Sequence, residues 1–264
     1  MHIIVPIKQV PETSNVKMDP STGTMLRTGV ETIINPLDLY AIEEALRLRE
    51  LQNGQITVIS MGPLTAEKAL REACAMGCDQ GILLSDKLFG GADTWATAYT
   101  LSQAIHKIGL FNLIICGERA TDGDTGQVGP GLAAFLDLPL ATYVDKVEIV
   151  DEGLRISRLV EGGAELLWMP LPAVITVVKA IASPRLPTLR GMQRAKKSDF
   201  PVWHPEDIEA DLSCIGLKGS PTRVVNIFHP TLTRQGKVIR IKDPSEVDFA
   251  VSSMMDFLND RNLI

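Results

Sequence analysis

A glycine-rich loop between an apolar run and a helical pattern holds the residues best suited to chemistry. Residues 113–138 read LIICG, then ERATDGDTGQVGP, then GLAAFLDL. The first backbone N–H groups of a helix have no partner within the helix, and the aligned peptide dipoles make that end positive. Such a loop can hold a phosphate without lysine or arginine, and Gly123, Gly126 and Gly129 would let the backbone approach it closely. The form alone fits both a nucleotide site and a plain strand–loop–helix turn.

Cysteine and histidine side chains could bind a metal, but their spacing does not favour a metal site. Cys74 and Cys78 lie one helical turn apart, whereas Cys116 and Cys214 stand alone and the four histidines do not cluster with them. A metal site needs several such ligands within reach, and free cysteine is among the most buried residue types. We therefore expect buried structural thiols rather than a metal site or a redox pair.

The composition excludes several classes of function. The chain has 264 residues, 45% of them apolar, and a net charge of −6. Nucleic-acid binding needs a basic surface, so no nucleic-acid partner is expected. No apolar run approaches the ~20 residues of a membrane span, and the N-terminus lacks the basic and long apolar regions of a signal peptide. We expect a soluble, cytoplasmic protein.

The first half of the chain alternates short apolar runs with helical patterns. Strands are predicted over residues 3–7, 56–61, 81–85 and 113–117, and helices over residues 37–51, 65–76, 93–108 and 127–136. This alternation is typical of βαβ units and predicts an α/β fold with a doubly wound, mostly parallel sheet covered on both faces. Ligands bind at the carboxyl ends of such strands, where the strand order reverses. The loops at residues 6–10, 60–63, 85–94 and 117–128 are therefore expected to converge on one crevice.

The second half has a different pattern. Residues 142–150, 154–160, 164–169 and 173–178 are predicted to be successive strands, with hairpin turns between the first three, forming an antiparallel extension. Residues 184–205 are rich in proline, lysine and arginine with little periodicity, which favours a functional or partner-binding segment. Residues 244–258 predict an amphipathic helix that packs either on another chain or on its own domain. We expect one domain over residues 1–183 and an arm over residues 184–264.

Eight segments carry a more specific signal when they are taken together and in order. They read VPIKQVPETSNVKMDPSTGTMLRTGVETIINPLD, EEALRLRE, VISMGP, EACAMGCDQGILLSD, CGERATDGDTGQVGP, FLDLP, LPAVITV and SPRLPTLRGMQRAKK. Along essentially its whole length, the chain resembles the β subunit of electron-transfer flavoproteins. The resemblance implies a Rossmann-like α/β fold and a C-terminal arm that packs on an α subunit. It also implies an α subunit that carries a FAD and a β subunit that holds its own nucleotide.

The resemblance leaves two branches of the family open. In the ordinary branch the nucleotide of the β subunit is AMP, and it is structural. In the electron-bifurcating branch it is a second FAD, which accepts hydride from NADH or returns it to NAD. One electron then reaches ferredoxin or flavodoxin, and the other reaches a flavin-containing partner dehydrogenase. The chain would thus be an electron carrier, and part of an NAD- and ferredoxin-linked oxidoreductase only within a complex.

The family's nucleotide contacts can be carried over residue by residue. Pro6 and Met61 would line an apolar wall for adenine, and the Asn35 amide would bind the ring or the ribose. Thr125, Gln127 and nearby backbone N–H groups would bind phosphate. The implied cofactor-binding residues are Pro6, Asn35, Asp38, Met61, Asp93, Thr94, Thr97, Gly117, Arg119, Asp122, Gly123, Asp124, Thr125, Gly126, Gln127 and Val128.

The charged side chains of the glycine-rich loop have other expected roles. Asp122 and Asp124 would accept hydrogen bonds from ribose hydroxyls or backbone amides. Arg119 would either stabilise a reduced, anionic flavin or lie in solvent. Because flavin and nicotinamide carry out the redox chemistry themselves, no catalytic side chain is expected.

Three features favour FAD over AMP. Gly123 stands where AMP-type proteins tend to have a bulkier acidic run, so it would leave room for a dinucleotide. Residues 89–94 resemble the bifurcating branch, in which GADT borders the flavin half of the cofactor. Asp93 and Thr94 are also compatible with a simple helix cap. Residues 218–222, KGSPT, resemble that branch too.

Residues 184–197 correspond to the family's recognition loop, which docks the partner dehydrogenase. Leu189 stands where the family places an apolar anchor, and Arg190 stands beside it. A single apolar anchor ringed by polar residues is a common way to build an interface. Positive charge that could steer an acidic partner comes from Arg185, Arg190, Arg194, Lys196 and Lys197.

Three functions therefore stand as hypotheses. The first is the FAD-binding β subunit of a bifurcating electron-transfer flavoprotein, and the second is the AMP-binding β subunit of a non-bifurcating one. The third is a nucleotide-binding regulatory or adenylate-transfer protein without a redox role. The chain has no GxxxxGK[ST] motif and no lysine within the glycine-rich loop, which disfavours the third hypothesis.

Overall fold

The computed structural model describes residues 1–12, 31–225, 236 and 238–264. The chain divides into two compact units, Met1–Val225 and Asn226–Ile264. This division differs from the expected boundary after residue 183, because residues 184–225 add a strand and two helices that pack on the first unit. Residues 13–30 belong to a segment that carries the family resemblance, and they lie outside the described residues.

A nine-stranded sheet forms the centre of the first unit. Within the described ranges, the strands are β1 (His2–Pro6), β2 (Gln9–Pro11), β3 (Thr32–Ile34), β4 (Gln55–Met61), β5 (Gln80–Leu84), β6 (Leu113–Gly117), β7 (Leu140–Val150), β8 (Gly153–Val160), β9 (Gly163–Pro170), β10 (Ala173–Val177) and β11 (Val202–Trp203). The spatial order is β11-β5-β4-β1-β6-β10-β7-β8-β9, and β2 and β3 form a separate antiparallel pair. Neighbours from β11 to β7 run parallel, whereas β7, β8 and β9 run antiparallel.

Helices cover both faces of the sheet. In the first unit they are α1 (Asp38–Gln52), α2 (Glu67–Met76), α3 (Thr94–Ile108), α4 (Val128–Phe135), α5 (Leu189–Lys197) and α6 (Gly216–Gly219). Ile3 and Val5 of β1 belong to the same core cluster as α1 and α2, whereas Ile4 belongs to a second cluster with α3 and α4. Successive strand residues point to opposite faces, so the short apolar runs of the sequence fill both clusters.

The strand order reverses between β1 and β6. The chain moves outward from β1 through β4 to β5, and then returns to the other side of β1 with β6 and β10. An α/β sheet opens a crevice at such a reversal, outside the carboxyl ends of the two strands. The predicted mostly parallel, doubly wound fold is thereby confirmed, and Pro6 and Gly117 mark the crevice.

The predicted antiparallel extension is also confirmed, with one difference at its end. The hairpin turns contain Asp151 and Gly162 with φ of +53° and +88°, the left-handed conformation expected in tight turns. β10 does not continue this meander; it lies between β6 and β7, parallel to both. All five of its residues are buried, as expected for a central parallel strand.

The prediction of an irregular segment at residues 184–205 is wrong. The segment contains α5 and β11, and β11 pairs in parallel with β5. The Thr188 side chain caps α5 by accepting a hydrogen bond from the backbone N–H of Gly191. Only Ala195 of α5 is buried, so this mostly charged helix leaves no apolar run that would mark it in the sequence.

The second unit contains the predicted C-terminal helix, α7 (Val247–Asn259). Phe249, Met254 and Phe257 are among its exposed apolar side chains. Within the ranges that the structure describes, no helix is both long and apolar enough to cross a membrane.

Candidate functional site

The buried carboxylate of Asp38 links three segments at the crevice: the start of α1, the residues after β1 and the end of β6. Asp38, at the start of α1, accepts hydrogen bonds from the Lys8 backbone N–H at 2.7 Å and from the Asn35 side-chain amide at 2.8 Å. A Cβ atom at Gly117 would overlap Asp38 Oδ1, so only glycine allows the end of β6 to lie against this carboxylate. Burial raises the pKa of Asp38 to about 7, although the hydrogen bonds from Asn35 and Lys8 oppose that shift.

Asn35 is fully buried, and its side chain supports the glycine-rich loop. Its Nδ2 donates to Asp38 Oδ1 and, at 2.9 Å, to the backbone oxygen of Arg119. Its Oδ1 accepts from the backbone N–H of Thr121 at 3.1 Å. Both amide hydrogens therefore have protein partners, and Asn35 fixes the first residues of the loop that follows β6. Hydrogen bonds of the Asn35 amide with a ring or ribose stay a prediction.

Ion pairs connect the charged side chains of this loop. Arg119 Nε lies 3.0 Å from Asp124 Oδ1 and 3.5 Å from Glu118 Oε1. Lys8 Nζ, which extends from the residues after β1, lies 2.6 Å from Asp122 Oδ1. Both acidic residues expected to face ribose hydroxyls or backbone amides thus pair with cations. Sequence reasoning did not single out Lys8, because it stands far from the loop along the chain.

The backbone of the loop fits a phosphate group. Asp124 and Gly126 have φ of +53° and +63°, which turns the chain sharply before α4. A Cβ atom at Gly123 would meet nothing within 4 Å, so this part of the loop is open. Val128 and Gly129 are the first two residues of α4, and their backbone N–H groups have no acceptor within the described ranges. An open loop before unpaired helical N–H groups is a suitable cradle for an anion.

Close packing of α4 on the sheet fixes the position of that cradle. A Cβ atom at Gly129 would lie 2.5 Å from the methyl group of Thr176 in β10. The Thr176 hydroxyl in turn accepts a hydrogen bond from the backbone N–H of Tyr143 at 3.2 Å. Gly129 is thus required because the first turn of α4 touches β10, in addition to any contact with a ligand.

Pro6 and Met61 lie at the same edge of the sheet as the cradle. Pro6 pairs with Ile59 in the neighbouring strand β4, and Met61 is the last residue of β4. Pro6 is buried and Met61 is half-buried. These positions are compatible with the apolar wall that the sequence predicted, which stays a prediction.

Asp93 is held by the chain on both carboxylate oxygens. Oδ1 accepts from the N–H of Ala96 at 3.1 Å as the cap of α3, and Oδ2 accepts from the N–H and hydroxyl of Thr222 at 3.0 and 2.8 Å. The N–H of Asp93 donates to the Ser220 hydroxyl at 2.8 Å. Burial acts to raise the pKa of Asp93, but these hydrogen bonds outweigh it and the net pKa lies below its usual value.

The loop before α3 is therefore joined to residues 218–222. The helix-cap interpretation of Asp93 is confirmed, and its carboxylate also holds Thr222, while a role of Asp93 toward a cofactor stays a prediction. Thr94 and Thr97 lie in the first turn of α3, where both are half-buried. Their role toward a cofactor stays a prediction.

The segment expected to dock a partner presents its apolar anchor to solvent. Leu189 is 77% exposed at the first position of α5, and Arg190, Lys196 and Lys197 are exposed as well. Arg185 instead binds Glu43 at 2.9 Å and Glu50 at 2.6 Å, both of them on α1. The assignment of Arg185 to partner steering is therefore corrected to anchoring the segment.

Arg194 also has a structural partner. It donates to the backbone oxygens of Cys74 and Cys78 at 3.0 and 3.3 Å, at the end of α2, where a cation compensates the helix dipole. Its expected role in partner steering is likewise corrected.

The cysteines behave largely as expected. Cys74, Cys78 and Cys116 are buried, whereas Cys214 is half-buried. Burial raises the pKa of Cys74 to about 11 and that of Cys116 further, so both thiols stay protonated at neutral pH.

Comparison with known proteins identifies relatives that match the whole chain. The family model described as electron transfer flavoprotein domain matches residues 22–208. The electron transfer flavoprotein subunit beta of Thermoanaerobacterium thermosaccharolyticum is 46% identical over 265 residues, which cover 100% of both chains. The caffeyl-CoA reductase-Etf complex subunit CarD of Acetobacterium woodii is 40% identical over 265 residues and 100% of both chains. Protein FixA of Sinorhizobium fredii is 42% identical over 270 residues, covering 98% of this chain and 92% of FixA.

Proposed function

Since the chain belongs to the electron transfer flavoprotein family, as a β subunit, we propose that it holds a FAD in the crevice between β1 and β6. We propose further that this FAD exchanges hydride with NAD(H). The complex with an α subunit would then divide the electrons between ferredoxin or flavodoxin and a flavin-containing dehydrogenase. The bound FAD supplies the redox chemistry, and the residues of this chain bind and orient it. We place this activity in the cytoplasm.

The open loop at Gly123 carries the choice of FAD over AMP. Nothing lies within 4 Å of a Cβ atom at this position, so the loop leaves space beyond the phosphate cradle. A dinucleotide is longer than AMP and needs such a passage. Thr125, Gln127 and the first N–H groups of α4 bind phosphate in this proposal, and Pro6 and Met61 contact the adenine ring.

The name of one relative supports a partner enzyme in our proposal. CarD, which is 40% identical to this chain, is named as a subunit of a caffeyl-CoA reductase-Etf complex. In our proposal α5 docks the partner dehydrogenase through Leu189 and Arg190. The α subunit binds the C-terminal unit.

The nucleotide content of the purified complex tests the proposal. The complex of the chain with its α subunit is denatured, and the released nucleotides are separated and quantified. Two FAD per heterodimer is the expected result. One FAD and one AMP would replace it with the non-bifurcating alternative, and a complex without flavin would contradict both.

A further inference from the structure

The candidate phosphate cradle is surrounded by acidic side chains. Glu118, Asp122 and Asp124 belong to the loop itself, against one arginine, Arg119. That arginine pairs with Glu118 and Asp124. A phosphate group would therefore meet mostly negative charge from the side chains of its own loop, and unpaired N–H groups alone would have to compensate it.

Lys8 brings a positive charge to this loop from a different element. It follows β1, the strand on one side of the reversal, and its Nζ lies 2.6 Å from Asp122 Oδ1. Its backbone is fixed on both sides, because its N–H donates to Asp38 at 2.7 Å and its C=O accepts from the Asn35 N–H at 2.8 Å. The side chain thus starts from a rigid point and reaches the loop across the crevice.

The pair between Lys8 and Asp122 is open to solvent at its lysine end. The Lys8 side chain is 46% exposed and the Asp122 side chain 17% exposed, and solvent weakens an ion pair with an exposed partner. A flexible lysine can exchange one anionic partner for another, since its ammonium is a point charge with three donors. Asp122 therefore competes with any phosphate in the crevice for the ammonium group of Lys8.

From this geometry we infer that Lys8 is a phosphate-binding residue, and that a nucleotide phosphate replaces Asp122 as its partner. The inference rests on the proposed function, because it needs a nucleotide in the crevice between β1 and β6. It adds a second cation to a site whose loop supplies only Arg119, which already pairs with Glu118 and Asp124. It also assigns Asp122 a role opposite to that of a ligand, since Asp122 weakens phosphate binding by holding Lys8.

Titration of the full 264-residue chain with ADP and with adenosine tests the inference. The two probes share the base and the ribose and differ only in their phosphates. Lys8→Gln should weaken ADP binding about tenfold, the usual effect of losing a hydrogen bond to a charged group, and leave adenosine unchanged. Lys8→Arg should retain most of the ADP affinity. Lys146→Gln is the matched control, because Lys146 also pairs with a carboxylate, Glu148, at 2.9 Å.

Asp122→Asn gives the second arm of the experiment. The variant should bind ADP several-fold more tightly than the wild type, because Lys8 is then free, and it should bind adenosine equally well. In the double variant of Lys8→Gln and Asp122→Asn this gain should vanish. A gain that persists without the lysine would overturn the competition.

Other outcomes separate this inference from the proposed function. Equal losses for ADP and adenosine in Lys8→Gln would show a structural role for Lys8 and overturn the inference. Weaker binding of both probes in Asp122→Asn would place Asp122 on the ribose and overturn its competing role. A wild-type chain that binds neither probe would instead contradict the nucleotide site itself.

Discussion

Asp38 makes the stability of the crevice dependent on pH. Burial raises its pKa from 3.8 to about 7 in the folded chain, so the folded state binds a proton more tightly than the unfolded state. The carboxyl group is neutral in both states below about pH 4, and its burial costs least there. Between about pH 4 and pH 7 the unfolded state has released this proton while the folded state still holds it, so the folded state loses stability over that range and no more above it.

We predict that the free energy of unfolding falls by roughly 2 to 3 kcal/mol between pH 5 and pH 8 through Asp38 alone. Asp38→Asn removes this titration, so its stability should change less over the same range. Urea unfolding of both proteins at several pH values measures the difference. Parallel pH profiles for the two proteins would show that Asp38 keeps an ordinary pKa.

A substitution at Gly123 tests whether the chain binds FAD. A side chain there meets nothing within 4 Å, so Gly123→Asp should fold as well as the wild type. An acidic side chain in the proposed passage of a dinucleotide should lower the content of the second FAD at least several-fold, by its bulk and by its charge. Flavin absorbance of the purified complex measures the occupancy. Gly163→Asp, at another glycine with open surroundings, is the control, and full FAD content in Gly123→Asp would remove the argument.

At the scale of elements, α5 is a short helix whose position is set by the helices beneath it. A Cβ atom at Gly191 would overlap the backbone oxygen of Ala75, so α5 lies directly on α2. Arg185 and Arg194 anchor the segment to α1 and to the end of α2. Leu189 is thereby presented on a rigid support, which lowers the entropic cost of docking a partner.

We predict that Leu189→Ala slows electron delivery to the partner dehydrogenase at least tenfold and leaves the cofactor content unchanged. The leucine is a single exposed anchor, and truncation of such an anchor typically costs more than 1 kcal/mol of binding energy. Stopped-flow reduction of the dehydrogenase measures the rate. Leu110→Ala is the control, because Leu110 is also highly exposed but lies in a different segment. Unchanged transfer rates in Leu189→Ala would contradict the docking role.

The sequence predicted the elements whose apolar residues fill the core. It missed elements that contribute few or no residues to the core. The strand at Leu113–Gly117 was predicted to the residue, because four consecutive buried positions followed by a glycine leave a clear apolar run. α5 and β11 were missed, since a helix with one buried alanine and a strand of two residues leave no apolar run in the sequence. The same holds for the site: the loop was found from its glycines, whereas the bonds of Asn35 and Asp93 join residues far apart in sequence.

At the scale of the whole molecule, the chain separates the unit that contains the crevice from a C-terminal unit. The first unit contains both core clusters and the whole crevice. In the second unit, the apolar side chains of α7 are exposed, and we assign them to contact with the α subunit. The two units therefore have separable tasks in our proposal.

A chain that ends at Val225 tests this separation. We predict that it keeps cooperative unfolding, since the core clusters lie before this residue, and that it no longer co-purifies with the α subunit. Thermal unfolding followed by circular dichroism measures the first property, and affinity pull-down of the α subunit measures the second. Retention of the α subunit by the shortened chain would show that the first unit carries the main interface.

The place of β10 in the sheet constrains how the chain can fold during its synthesis. β1, β4, β5 and β6 are complete once residue 117 has left the ribosome, and they can pair with one another. The free edge of β6 must then wait until β7, β8 and β9 have been made, because β10 comes after all three. An exposed edge of a parallel sheet is a template for wrong pairing. We therefore expect the nascent chain to depend most on chaperones while residues 118–177 are emerging from the ribosome.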